Sequence, residues 1–220
     1  MAKPVRLCGG EKERVLMWNS VGSAGAVLKR NRGYILAAAV LFLIGWVTGS
    51  IFSEQLMAAV KPMLEKIASL AEQTQAKDSV LYTAGVIFMN NLTACAVMVL
   101  FGCLLALPTV FSLVLNGMVI GVLFGQLDHG VSAWELIVYG LLPHGIFELP
   151  ALVISAALGI KLGLVLLVPL KGKTRLESFG FTWLEVVKAA WVPFAMLIVA
   201  AGVEATLTPY LLEKFVLTQG

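Results

Sequence analysis

The chain has 220 residues, 59% of them hydrophobic and only 13% charged, with sixteen Lys and Arg against thirteen Asp and Glu. A soluble domain carries about 25% charged residues, and here the deficit is concentrated in several apolar runs of ~18 residues or more. This excludes a soluble globular fold and predicts one all-α, polytopic transmembrane helix bundle of about five spans plus a broken or re-entrant half-helix.

Residues 1–32 read as a cytoplasmic basic N-terminal segment, with Lys29, Arg30 and Arg32 abutting the first span at 34–52. Basic residues beside a span favour the cytoplasm. Val15, Leu16, Val21, Ala24 and Leu28 could form a weakly amphipathic helix ahead of it. That span lacks a cleavage pattern and is expected to be retained. Residues 53–80 are the longest polar connection. Within it Leu56, Val60, Met63, Leu64, Ile67 and Leu70 recur at helical spacing, predicting an extracytoplasmic amphipathic helix at 54–77; Pro62 suits the first turn of a helix. Its apolar stripe suits either the lipid interface or a partner groove.

Span two is expected at 81–107, and Pro108 with Thr109 turns the chain into span three at 110–127. Asp128-His129-Gly130 forms the next outside turn. Residues 133–142 would rise only about 15 Å as a helix, half a crossing. Pro143, Gly145 and Pro150 are the expected helix break, and a second helix over 146–170 returns to the basic side at Lys171, Lys173 and Arg175. Span five is expected at 186–205. The transmembrane domain is thus 33–206, followed by a short tail at 207–220, with the N-terminus cytoplasmic and the C-terminus outside the plasma membrane.

Several polar groups fall inside these runs. A carboxylate at bilayer depth costs about 2.5–3.5 kcal/mol on insertion scales, so Glu148 needs compensation. Asn90, Asn91 and Asn116 can stitch helices together through interhelical hydrogen bonds or line a polar cavity. His144 lies four residues before Glu148, on the same face if one helix holds both. Glu148 can alternatively cap the first turn of the second half-helix. Lys161 is expected to snorkel toward the basic side. Gly117, Gly121 and Gly125 recur every four residues and offer a smooth packing groove, with Gly102, Gly159 and Gly163 also beside spans. Cys95 and Cys103 lie about 12 Å apart along one helix and cannot pair within it; they and Cys8 imply no disulfide framework. One His pair partner is too few ligands for a metal, so no metal, cofactor or catalytic residue is expected.

The run Pro143-His144-Gly145-Ile146-Phe147-Glu148-Leu149-Pro150-Ala151 resembles the stage II sporulation protein M family of integral membrane proteins. Gly159-Ile160-Lys161-Leu162-Gly163, Asn90-Asn91 and Asn116-Gly117 are similar to the same pattern, and the likeness extends over roughly 80–165. In the sporulating-bacterium member, the resemblance implies a membrane anchor that gathers extracytoplasmic peptidoglycan-degrading proteins during engulfment.

The leading expectation is a non-enzymatic membrane scaffold with membrane or extracytoplasmic protein partners, in contact with membrane lipids, without nucleic acid, and compatible with a homo-oligomer. The alternative is a small transporter or channel with a polar site around Glu148, since transporters build sites from interrupted helices. An intramembrane enzyme ranks third, because no second carboxylate at the depth of Glu148 is recognised. An aqueous cavity reaching Glu148 would discriminate the alternative from the scaffold.

Overall fold

A computed structural model describes residues 21–75, 77, 79–126 and 135–215. The expectations for Cys8 and the rest of residues 1–20, for Asp128-His129-Gly130 and for the last five residues lie outside them. All regular structure among the described residues is helical: α1 (Ala24–Arg30), α2 (Arg32–Ile51), α3 (Ser53–Gln75), α4 (Val80–Leu100), α5 (Leu107–Gly125), α6 (Leu142–Leu167), α7 (Arg175–Ala189) and α8 (Trp191–Phe215). Five segments are long and apolar enough to cross a membrane: Arg32–Ile51, Val80–Cys103, Leu107–Gly125, Gly145–Leu167 and one within Arg175–Leu212. The fold is the expected all-α bundle.

Two helix pairs run parallel at backbone contact. In the first, Gly117 and Gly121 of α5 lie against the carbonyls of Phe42 and Trp46 of α2, while Gly45 and Gly49 lie against those of Val114 and Met118. In the second, Gly159 of α6 meets the Met98 carbonyl, and Gly163 meets that of Gly102. Any Cβ at these positions would collide with backbone, so the glycines set the helix spacing. Parallel neighbours need an intervening antiparallel crossing, which α4 supplies between α2 and α5.

Span two ends earlier than expected. A 3₁₀ turn at Phe101–Cys103 closes it, and Pro108 belongs to the first turn of α5, where its missing N–H costs nothing. The turn itself is Leu105–Ala106, both left-handed at φ 56° and 65°. Such a conformation costs about 1–2 kcal/mol per non-glycine residue. It is pinned by the Ala106 amide donating to the Gly102 carbonyl (2.8 Å) and by the Thr109 hydroxyl donating to the Met98 carbonyl (2.6 Å).

The expected break at Pro143 and Gly145 is absent. A π-helical stretch, Leu136–Leu141, runs directly into α6 through a helical Leu141 (φ −90°, ψ −43°). Pro143 cannot supply the N–H that α-type pairing would require. The wider π ladder falls just ahead of it, where such bulges absorb a local mismatch. Pro150 also lies inside α6, so neither proline ends the helix.

α3 begins directly after a non-helical Phe52 (φ −110°, ψ 35°), and Pro62 lies in its interior rather than its first turn. The first half of its apolar stripe is covered by the chain itself: Val60 is fully buried against Val119 and Val122 of α5, with Leu56, Met57, Met63 and Leu64 around them, while Ile67 stays exposed. Span five starts at Trp191 rather than 186, because residues 175–189 form the separate amphipathic helix α7. α7 opens on a capping box between Thr174 and Glu177.

Candidate functional site

Two polar clusters stand at different levels of the bundle. The first joins α1, α6 and α7 at the end that carries the basic loops. Glu185 of α7 is fully buried and accepts from Arg30 Nε at 2.7 Å and from Lys161 Nζ at 2.5 Å. Lys161 also donates to Asn31 Oδ1 at 2.8 Å, and Asn31 Nδ2 donates to the Val27 carbonyl at 2.9 Å. Arg30 further caps the Val21 carbonyl at 3.0 Å. Lys161 therefore does not snorkel. It is 3% exposed, because Glu185 supplies the counter-charge that solvent would otherwise provide. Lys173 and Arg30 both approach the ring of Phe181, which places the two basic sequence clusters at one end.

The second cluster surrounds a cavity of about 850 Å³. It brings together Asn90 and Asn91 of α4, Asn116 of α5, Glu148 of α6 and Glu204 of α8. Asn90 is the eleventh of 21 residues in α4, Asn116 the tenth of 19 in α5 and Glu204 the fourteenth of 25 in α8, so all three lie near mid-helix. Glu148 is in the second turn of α6, and the π-helical stretch extends its helix beyond it. It has no free first-turn amides to cap, so the capping expectation fails.

The amides do less stitching than expected. Asn116 Nδ2 donates to the Ser112 carbonyl of its own helix at 2.8 Å, and Asn90 Nδ2 donates to Asn91 Oδ1 at 3.3 Å. Asn91 and Glu204 lie near the Glu148 carboxyl group. The side chain of His144 lies outside the described residues, while Gly145 lines the cavity wall. Apolar side chains complete the walls, Phe42, Ile87, Ile120, Leu149 and Leu152 among them, and Met63, Ile67 and Leu70 of α3 close over one end. No lining residue comes from α1 or α7, so the cavity lies toward the α3 end and stops short of the basic end.

Glu204 and Glu185 escaped the sequence reading. Glu204 interrupts an apolar run just as Glu148 does, and the same cost argument applies to it. Its presence removes the reason for finding no second carboxylate at the level of Glu148. Glu185 looks like an ordinary charge on an amphipathic helix, and its partners are 24 and 155 residues away.

The sequence profile of the family described as Stage II sporulation protein M matches residues 38–209. The chain belongs to the stage II sporulation protein M family. The two carboxylates and three amides of the cavity fall within the matched region, as do Lys161 and Glu185; Arg30 and Asn31 precede it. Two proteins of Methanocaldococcus jannaschii, both described as uncharacterized, are similar to it. One is 30% identical over 123 residues, covering 56% of this chain and 69% of its own length. The other is 31% identical over 125 residues, covering 56% of this chain and 54% of its own. No solved structure matches the chain significantly.

Proposed function

We propose that this multi-pass membrane protein is a small transporter whose solute site is the cavity at Glu148. The observation that carries the reading is the convergence of two carboxylates and three amides, from four helices, on one cavity at mid-bundle. Polar groups cost free energy in hydrocarbon unless they are paired or solvated. Ligand sites between helices of a bundle combine apolar walls with a few convergent polar groups. The positive-inside rule assigns the end with Lys29–Arg32 and Lys171–Arg175 to the cytoplasm. The cavity then faces the outside of the cell membrane, beneath α3.

The test is solvent access. In a variant lacking the native cysteines, single cysteines at Gly145, Leu149 and Leu152 should react with a membrane-impermeant thiol reagent added outside. Cysteines at the fully packed Ala156 and Ala157 should not. Equal protection of all five positions overturns the reading.

Family membership supports a second reading, an organiser of extracytoplasmic partners. Its docking face would be the exposed polar side of α3, with Lys61, Glu65, Lys66 and Glu72, since the first half of the apolar stripe already packs on α5. Changes at Glu65, Lys66 and Glu72 that abolish co-purification of partners from native membranes, with the protein still inserted, would favour it. Unchanged co-purification would count against it.

A further inference from the structure

Resting on the solute-site reading, we infer that the cavity binds an organic cation: an ammonium head on an apolar body. The charge balance points there first. Among the described residues lining the cavity, the ionisable side chains are Glu148 and Glu204, with no Lys or Arg. At the basic end the same chain surrounds its buried carboxylate, Glu185, with two cations of its own. Two carboxyl groups on the wall of one cavity at bilayer depth, without a basic partner there, are matched by a positive solute.

The hydrogen-bonding balance points the same way. Asn116 Nδ2 and Asn90 Nδ2 are both engaged within the protein. Asn91 accepts from Asn90 through Oδ1. Each engaged amide nitrogen keeps a second N–H, but acceptor oxygens outnumber these donors among the five side chains: Asn90 Oδ1, Asn116 Oδ1 and the four oxygens of the two carboxylates. An ammonium carries only donors and fits such a set.

Size and wall chemistry then separate an organic cation from a metal ion. A hard divalent ion takes about six to eight oxygen ligands in a close shell. The described residues hold no cluster of three His, Cys, Asp or Glu side chains suited to a metal. A volume of about 850 Å³ falls in the range that holds drug-sized ligands, ~300–1,000 Å³. Phe42, Ile87, Ile120, Leu149 and Leu152 give the apolar body a surface on which to bury area.

The full-length protein in lipid nanodiscs should be titrated calorimetrically with phenethylamine and hexylamine, and with two neutral or anionic counterparts of similar shape, 2-phenylethanol and 3-phenylpropionate. The amines should bind at least about tenfold more tightly than either counterpart, the ratio expected for a charge-assisted hydrogen bond of about 1.5–3 kcal/mol. Glu148→Gln and Glu204→Gln should each weaken amine binding about tenfold or more on the same grounds, while leaving 2-phenylethanol unaffected. Thermal unfolding of each variant controls for folding, and the second Gln variant stands in if the first does not fold. Equal affinity for the alcohol, or preference for the carboxylate, overturns the cation inference and leaves the cavity as a solute site. Absence of amine binding in a protein whose cavity cysteines react with the impermeant reagent has the same meaning. Absence of binding together with unreactive cavity cysteines overturns the solute-site reading itself.

Discussion

Glu185 and Glu148 are both carboxylates on helices of the same bundle, yet their surroundings are opposite. Glu185 is sealed among Arg30, Lys161 and Asn31, with both carboxylate oxygens engaged by cations. Glu148 has an amide and a second carboxylate for company, on the wall of a cavity. A buried charge that is saturated by its own chain is a structural fastening. One that is left short of counter-charge beside open volume is, on the proposed reading, where a solute binds. The contrast separates the two roles better than burial does, since both groups lie on interior faces.

The largest expected effect breaks the fastening from one side. Glu185→Leu leaves Lys161 buried without its carboxylate, and removing one partner of a buried pair costs about 3–5 kcal/mol. Thermal unfolding in detergent should show a large drop in Tm. The double variant Lys161→Met with Glu185→Leu should recover much of it, because a packed apolar pair replaces two charges. If the double variant is no better than Glu185→Leu alone, unpaired charge is not the cause.

Next in size is a clash at a helix seam. Gly159→Val drives a side chain into the Met98 carbonyl and should cost about 1–3 kcal/mol or more by overpacking. Gly202→Ala is its control, because a Cβ there meets nothing within 4 Å. Replacing a helical glycine by alanine should raise stability by about 0.5–1 kcal/mol. The same unfolding measurement reads both.

Glu148→Gln sharpens the comparison from the cavity side. The isosteric amide keeps the shape of the carboxyl group and removes its charge from the cavity wall it shares with Glu204. It should leave Tm unchanged or higher, while Glu185→Gln lowers it. Equal losses at the two positions would erase the distinction. The smallest effect belongs to the surface pair Lys61–Glu65, 3.8 Å apart with both side chains 67% exposed. Lys61→Ala should change stability by about 0.5 kcal/mol or less.

The number of spans, the basic end and the polar positions Asn90, Asn91, Asn116 and Glu148 could be read from the sequence, because membrane insertion imposes long apolar runs and makes each polar exception costly. Helix continuity was harder. Pro143 and Gly145 looked like a break because propensity sees the missing N–H, whereas the π-helical register ahead of Pro143 is a property of the whole ladder. Lys161 looked free to snorkel because its carboxylate is on another helix. The partner glycines Gly45 and Gly49 went unnoticed beside the longer repeat at Gly117, Gly121 and Gly125, although each seam needs small residues on both faces. Glu204 needed no structure at all; it required applying to the last span the test already applied to Glu148.

The glycine seams carry a mechanical consequence. Helices touching backbone to backbone cannot slide or roll past each other without carbonyls colliding, so α2 with α5 makes one stiff beam and α4 with α6 another, on which α8 rides. Phe42 and Asn116 belong to the first beam; Asn90, Asn91, Glu148 and Glu204 belong to the second. The beams are tied at the basic end by the Leu105–Ala106 turn, the Thr109–Met98 bond and the Arg30–Glu185–Lys161 bridge. Toward the other end the cavity, roofed by α3, lies between them beside a shared apolar core that includes Phe42, Met98 and Leu152. Movement of one beam against the other would therefore alter the cavity around Glu148 without breaking a helical hydrogen bond.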